Sequence, residues 1–200
     1  EGFKEFCAKV SIETSSVQYE NDSLMRKVRG NDDYGIACCV SYQAIGKAIQ
    51  FFGARANLAK ALLLALNGGR CENTGTLIVE GIKPLKSDVL DFDEVMENYK
   101  KVLHEVARVY NETMNIIHFM HDKYDYEKSQ MAFIDTNPTI NLAYGVAGLS
   151  IVADSLSAIK FAKVTARRNA DGLTDGFDIE GEFPCFGNDD DRVDVLARDV

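Results

Sequence analysis

The adjacent cysteines Cys38 and Cys39 are the residues of this sequence whose type and spacing most directly suggest chemistry. They lie in a short uncharged run, IACCVS, at residues 36–41. Structural metal sites need at least two pairs of ligands spaced two to four residues apart, and this run does not supply them. A disulfide between neighbours requires a distorted backbone, and thiolate catalysis usually needs a nearby cation or helix N-terminus to lower the thiol pKa. Considered without further information, the two cysteines could equally be small residues buried in the core, where free cysteine is common.

Arg55 is the second candidate. A guanidinium is a planar, two-pronged donor that suits a carboxylate and stays charged at any working pH. Without further information, an exposed arginine in front of a helix is the simpler interpretation of this residue.

Other residues that could do chemistry are assigned no role. His118, His121 and Asp122 could share one helix face, yet no further ligand pattern accompanies them, so no metal site is predicted. His104 stands alone, and the acidic run at residues 189–191 is most simply a solvated turn.

The elements that must position these residues begin with a long helix. Apolar residues recur at three- and four-residue steps from residue 92 to about residue 124. This period predicts one helix that packs an apolar stripe on a core. The stripe comprises Phe92, Val95, Met96, Tyr99, Val102, Leu103, Val106, Tyr110, Met114, Ile117 and Met120.

Shorter patterns predict the elements around the cysteines. Residues 5–12 are predicted as a strand, residues 13–33 as loop, and residues 34–40 as a buried strand or the loop at its tip. Asn57 is a good N-cap for a helix over residues 58–66, which should stop at the following Asn-Gly-Gly.

The C-terminal part alternates in the same way. Helices are predicted over residues 126–133 and 149–162, a glycine-containing turn over residues 144–148, and a short strand over residues 177–179. The alternation of strands and helices predicts the α/β class.

Composition limits the class of protein. Forty-six per cent of the residues are hydrophobic and 26% are charged, which predicts a soluble globular chain of one domain. The net charge of -9 argues against a nucleic-acid partner, and no apolar run approaches the roughly 18 residues that span a bilayer. Five cysteines without recurring spacing favour a reducing compartment over a secreted disulfide framework.

Several segments, taken in order, resemble the pyruvate formate-lyase family of glycyl radical enzymes. The strongest are YGIACCVS at residues 34–41 and QFFGARANLAK at residues 50–60. Further segments are MHDKY at 120–124, AGLS at 147–150, ADSLSAIK at 153–160 and FGNDD at 186–190. The resemblance covers essentially the whole chain.

The resemblance implies a role for four residues. Cys38 would attack the ketone carbon of pyruvate as a thiyl radical and keep the acetyl group as a thioester, while Cys39 would relay the hydrogen atom. Arg55 would pair with the substrate carboxylate, and Phe52 would line the pocket around the methyl group. A radical relay needs no thiolate, so an apolar, charge-poor setting suits it.

The resemblance also implies a setting for the chain. Residues 1–200 would be one segment of a catalytic domain, part of a ten-stranded β/α barrel, cut from a longer polypeptide. A glycyl radical would come from a segment similar to RVSGY, which these 200 residues lack, so the chain alone should be inactive. Coenzyme A would be the co-substrate, a radical-SAM enzyme the activator and a homodimer the assembly; no metal is implied. The location would be cytoplasm, or an organelle of an anaerobic eukaryote.

The expected activity is therefore formate acetyltransferase, with other interpretations kept open. A lyase that prefers 2-oxobutyrate would differ in pocket size near Phe52, where one methylene changes binding by only ~1–3 kcal/mol. A glycyl radical dehydratase is disfavoured because such relatives use one cysteine where this chain has two. A non-catalytic thiol or scaffold protein with the same fold is the alternative outside enzymes.

Overall fold

A computed structural model describes residues 2–30, 33–37, 41–44, 46–50, 53–124 and 139–200. The chain divides into two compact units, one drawn from residues 1–49 and 131–140, the other from residues 50–130 and 141–200. The helix predicted over residues 126–133 lies outside the described residues. The described elements, in chain order, are α1 (Gly2–Thr14), α2 (Asp22–Arg29), β1 (Gly35–Ala37), β2 (Ser41–Gln43), β3 (Ala48–Ile49), β4 (Gly53–Asn57), α3 (Leu58–Leu66), α4 (Phe92–Lys123), β5 (Thr139–Ile140), β6 (Ala143–Ala147), α5 (Leu149–Phe161), β7 (Lys163–Arg168), β8 (Thr174–Glu180) and α6 (Asp191–Asp199).

The first unit starts with two helices where the sequence predicted a strand and a loop. The strand prediction for residues 5–12 is wrong, because Phe3, Phe6 and Val10 recur at helical steps and lie in α1. The loop prediction for residues 13–33 is wrong for α2.

Helix α2 has clear start and stop signals. The Asn21 side chain accepts a hydrogen bond from the Leu24 amide at 3.0 Å, and Gly30 ends the helix in the left-handed conformation with φ of 79°. These two residues were the sequence signals for a helix inside a polar segment.

Two small strand pairs complete the first unit. Strands β1 and β2 are antiparallel with Ala37 opposite Ser41, and β3 pairs in parallel with β5. The strand predicted near residues 34–40 is confirmed over Gly35–Ala37, although Ile36 is only half-buried.

In the second unit, the helices meet around one apolar core. Helix α3 begins after Asn57, whose side chain accepts from the Lys60 amide at 3.0 Å, and it has the predicted bounds. Helix α4 confirms the predicted long helix, with Asp91 as its N-cap. The core contains the buried side chains of Leu62, Tyr99 and Leu156, from α3, α4 and α5 respectively.

The apolar stripe of α4 is buried at positions from Val95 to Met114. Val95, Tyr99, Val102 and Met114 are fully buried, whereas Met120 at the end of the stripe is 39% exposed. The predicted packing of this helix therefore holds as far as Met114.

Strands β4 and β6 form a parallel pair in which Arg55 lies opposite Gly145. The turn predicted over residues 144–148 is wrong, since Ala143–Ala147 is β6. Gly145 is needed for close approach: a Cβ there would lie 3.0 Å from the Ala54 carbonyl oxygen and 3.1 Å from Cγ of Arg55. Gly148 is the N-cap residue of α5.

The C-terminal part holds a predicted helix and a hairpin. Helix α5 confirms the helix predicted over residues 149–162 to within one residue. Strand β8 contains the predicted strand 177–179 and pairs antiparallel with β7, which the sequence did not predict.

The described residues thus confirm a mixed α/β composition at the level of class. Their strands pair in two-stranded sheets, and no barrel is formed within the described part of the chain. Among the described helices, none is both long and apolar enough to cross a bilayer.

Candidate active site

Of the four predicted site residues, Arg55 is the one that the described ranges include. Cys38, Cys39 and Phe52 lie outside the described residues. In the sequence, the two cysteines stand between β1 and β2, whose last and first residues, Ala37 and Ser41, are paired.

Arg55 is the central residue of β4 and its side chain is exposed. Paired residues of neighbouring strands project from the same face, so the arginine has Gly145 beside it rather than a side chain. Two residues later, Asn57 caps α3. The strand that carries the guanidinium therefore continues directly into a helix of the core.

Tyr110 of α4 ties this helix to both strands at the level of Arg55. Its hydroxyl donates to the Ala54 carbonyl and accepts from the Gly145 amide at 3.1 Å. The Tyr110 side chain thus provides a hydrogen-bond partner for one backbone group of β4 and one of β6, next to the Arg55–Gly145 pair.

A second aromatic ring supports Tyr110. The Tyr110 and Tyr144 rings meet edge to face with centroids 5.0 Å apart, a favourable arrangement for aromatic pairs. The Tyr144 hydroxyl donates to Oδ1 of Asn111 at 2.8 Å. Strand β6 is therefore fixed to α4 through two neighbouring residues, Tyr144 and Gly145.

Tyr99 anchors the start of α3 in the same manner. It is fully buried, and its hydroxyl donates to the Leu58 carbonyl at 3.2 Å. Burial raises the pKa of Tyr99 to about 12, so the phenol remains a donor at any working pH. Tyr99 and Tyr110 are 11 residues apart, about three helical turns, and lie on one face of α4.

Sequence reasoning placed both tyrosines in the apolar stripe and missed their hydroxyl contacts. A buried tyrosine usually has a partner for its hydroxyl, which was the available signal. The partner itself, a backbone group about 41 to 56 residues away in sequence, is set by tertiary packing alone.

An open groove of about 340 Å³ lies beside Arg55. Apolar side chains of α3, α4 and residues 78–79 form most of its wall, with Arg55 and Glu105 as the charged members. A cation at the edge of an apolar groove can orient a small carboxylate whose other end is apolar.

The residues assigned no role can also be located. His118, His121 and Asp122 lie near the end of α4, and within the described ranges no three His, Cys, Asp or Glu side chains are grouped to hold a metal ion. In the acidic run, Asp190 is the N-cap of α6 and accepts from the Arg192 amide at 3.0 Å. Its carboxylate also pairs with the Arg192 guanidinium, which holds the pKa of Asp190 below its usual range.

Comparison with known proteins gives two matches. A family model described as "Pyruvate formate lyase-like" matches residues 1–200. The chain is 57% identical over 198 residues to "Formate acetyltransferase 1" of Escherichia coli K12. That match covers 99% of this chain and 26% of the relative, so the chain spans about a quarter of the relative's length.

Proposed function

Because this chain belongs to the pyruvate formate lyase-like family, we propose that the full-length protein is a formate acetyltransferase. It would cleave pyruvate in the presence of coenzyme A to give acetyl-CoA and formate. The observation that carries the proposal is 57% identity to "Formate acetyltransferase 1" across 99% of this chain. The identity is measured over 198 residues, so the similarity is not confined to a few motifs.

The acetyl carrier is assigned to Cys38 and the hydrogen relay to Cys39. The sulfur of Cys38 would bond to the ketone carbon of pyruvate, the bond from that carbon to the carboxylate would break, and the acetyl group would stay as a thioester. The carboxylate carbon leaves as formate after it gains a hydrogen atom. The adjacency of the cysteines supports this division, since hydrogen can pass between neighbours without a diffusing carrier.

Arg55 is proposed to hold the pyruvate carboxylate. Its exposed side chain on β4, the glycine opposite it and the adjoining groove with apolar walls support this role. Phe52 is proposed to line the pocket near the methyl group, on the family resemblance alone.

The larger architecture is a proposal of the same kind. We infer that residues 1–200 form one segment of a ten-stranded β/α barrel. The parallel pairing of β4 with β6, with α3 and α4 between them in sequence, supports it, because parallel strands need a crossover that is usually helical.

The same resemblance suggests the cofactor and partners. A glycyl radical from a segment outside these 200 residues would supply hydrogen abstraction, and the uncharged run IACCVS suits a site that shields a thiyl. Coenzyme A would accept the acetyl group, a radical-SAM enzyme would activate the protein, and two copies would form a dimer. We propose a cytoplasmic location on the basis of the cysteine pattern.

The test is the reaction of the activated full-length protein with pyruvate and coenzyme A, measured as formate and acetyl-CoA. Pyruvate should give a kcat/KM at least about tenfold above that of 2-oxobutyrate, since one methylene is worth ~1–3 kcal/mol in a pocket. Preference for 2-oxobutyrate would favour the sibling lyase. Absence of formate from both acids, with the radical present, would contradict the proposed function.

A further inference from the structure

Lys60 and Cys71 form a close pair outside the candidate active site. Lys60 lies on α3 and its Nζ donates to Sγ of Cys71 at 3.2 Å. The same ammonium also donates to the Glu72 carboxylate. The side chains of Lys60 and Glu72 are 34% and 18% exposed, so the three groups are partly shielded from solvent.

The backbone around Cys71 fixes the thiol in place. Its amide donates to the Thr76 carbonyl at 2.9 Å, and its carbonyl accepts from the Gly75 amide at 2.8 Å. This tight loop follows α3 within a few residues and holds the sulfur against the Lys60 ammonium.

The charge states of the pair are set by its surroundings. Hydrogen bonds from the Thr74 hydroxyl, the amides of Asn73 and Thr74, and Lys60 lower the pKa of the Cys71 thiol to about 7. Partial burial lowers the pKa of Lys60, but hydrogen bonds and charges of Glu72 and Cys71 outweigh it and raise that pKa. Near neutral pH the Cys71 thiol is therefore more readily ionised than an ordinary thiol, and it lies beside an ammonium.

We propose that Lys60 and Cys71 are an oxidant-sensitive pair that forms a covalent N–S bond after a peroxide oxidises the sulfur. The sulfur is the site of oxidation, the lysine nitrogen is the second reactant, and Glu72 holds the ammonium beside the sulfur. The contact of one ammonium with both a sulfur and a carboxylate carries this inference.

The chemistry balances with one oxidant. The Cys71 thiolate attacks hydrogen peroxide, the O–O bond breaks, and sulfenic acid and hydroxide form as sulfur loses two electrons to the peroxide. The hydroxide takes a proton from the Lys60 ammonium and leaves as water, and the free amine then attacks sulfur. The S–O bond breaks, the hydroxyl takes a proton, and water leaves. Two equivalents of a small thiol return the thiol and amine and form one disulfide.

The geometry distinguishes Cys71 from the exposed Cys185. Peroxide reacts with thiolate rather than thiol, so a thiol whose pKa is about 7 has an advantage near neutral pH. Capture by Lys60 should then compete with further oxidation to sulfinic acid, because the nitrogen already contacts the sulfur.

Peptide mapping of the full-length protein tests the proposal. The protein is reduced, freed of thiol, treated with hydrogen peroxide in the folded state, and digested without reductant. A linked peptide pair containing Lys60 and Cys71, lighter than the sum by two hydrogen atoms, is expected, and dithiothreitol should separate it. Cys185 should remain unlinked.

Two variants make the outcome decisive. Lys60→Arg keeps the positive charge but removes the amine, so dimedone should trap a sulfenic acid at Cys71 and the linked pair should vanish. In Lys60→Met the pH of half-maximal iodoacetamide labelling of Cys71 should rise from about 7 towards the ordinary thiol value of about 8.5. Sulfinic acid at Cys71 without the linked pair in the unsubstituted protein, or oxidation of Cys71 no faster than of Cys185, would overturn the proposal.

Discussion

At the scale of single residues, the position of Arg55 depends on its neighbours Gly145 and Tyr110. The glycine opposite leaves room for its stem, and the Tyr110 hydroxyl holds the backbone groups of Ala54 and Gly145. A guanidinium that must meet a small substrate at a fixed angle benefits from such a rigid strand.

Replacement of Arg55 by lysine in the full-length protein should therefore raise KM for pyruvate by about 10- to 100-fold. A point charge replaces a two-pronged donor, and a lost hydrogen bond to a charged group costs about 1.5–3 kcal/mol. Steady-state kinetics with pyruvate varied and coenzyme A saturating provide the measurement.

Arg167→Lys is the matched control for that experiment. Arg167 is an exposed strand arginine on β7 that pairs with Asp178 at 2.6 Å, so its replacement should leave KM unchanged. An unchanged KM in Arg55→Lys would remove Arg55 from the substrate site.

The cysteines of the chain illustrate two kinds of reactivity. Cys71 has an ammonium against its sulfur and is suited to react as a thiolate. Cys38 and Cys39 lie in an uncharged run, which does not favour a thiolate but suits a radical. Residue type alone does not distinguish the two, whereas the neighbouring charges do.

At the scale of elements, the sequence predicted helices whose signals are local. Asn57 and the stop after Leu66 define α3, and the three- and four-residue steps define α4. Each of these signals depends on residues within one or two helical turns.

Elements that depend on distant partners were predicted less well. Residues 144–148 are predicted as a turn because glycine favours turns, whereas Gly145 lies in β6 and lets β4 approach closely. Helix α1 covers the residues predicted as a strand, and its helical steps mark no buried face, since Phe3 and Phe6 are largely exposed.

The residues of the candidate site also differ in how far the sequence could predict them. The CC pair and Arg55 could be found from the sequence through resemblance, since they belong to contiguous motifs. Tyr110 and Gly145 could not, because their importance arises from the pairing of two strands about 90 residues apart in sequence.

Tyr110→Phe should loosen this strand pair while leaving the ring contact with Tyr144 in place. The hydroxyl bond to the Gly145 amide is worth about 1 kcal/mol, so residues 143–147 should exchange amide hydrogen about five times faster. Hydrogen exchange read by mass spectrometry on the folded full-length protein measures this.

Tyr144→Phe serves as the comparison, since its hydroxyl bonds an exposed Asn111 side chain and no backbone group. Exchange in residues 143–147 should then change less than in Tyr110→Phe. Equal rates in Tyr110→Phe and the unsubstituted protein would show that the hydroxyl does not hold the strands.

At the scale of the whole molecule, the described part has the features of one segment of a larger sheet. Strands β4 and β6 pair with each other alone among the described residues, and Val146 and Ile151 are each 59% exposed. Apolar exposure beside an open sheet edge usually marks a surface that another element covers. Further parallel strands of the proposed barrel would cover it in the full-length protein.

The measurement that tests the central claim most directly is the fate of the acetyl group of labelled pyruvate. The activated full-length protein is given pyruvate labelled in the methyl carbon, without coenzyme A, quenched in acid, and digested for peptide mapping. The label should appear as a thioester on Cys38, and both Cys38→Ser and Cys39→Ser should lose it, because members of one catalytic unit fail together. Label on Cys39, or full turnover in either serine variant, would contradict the account.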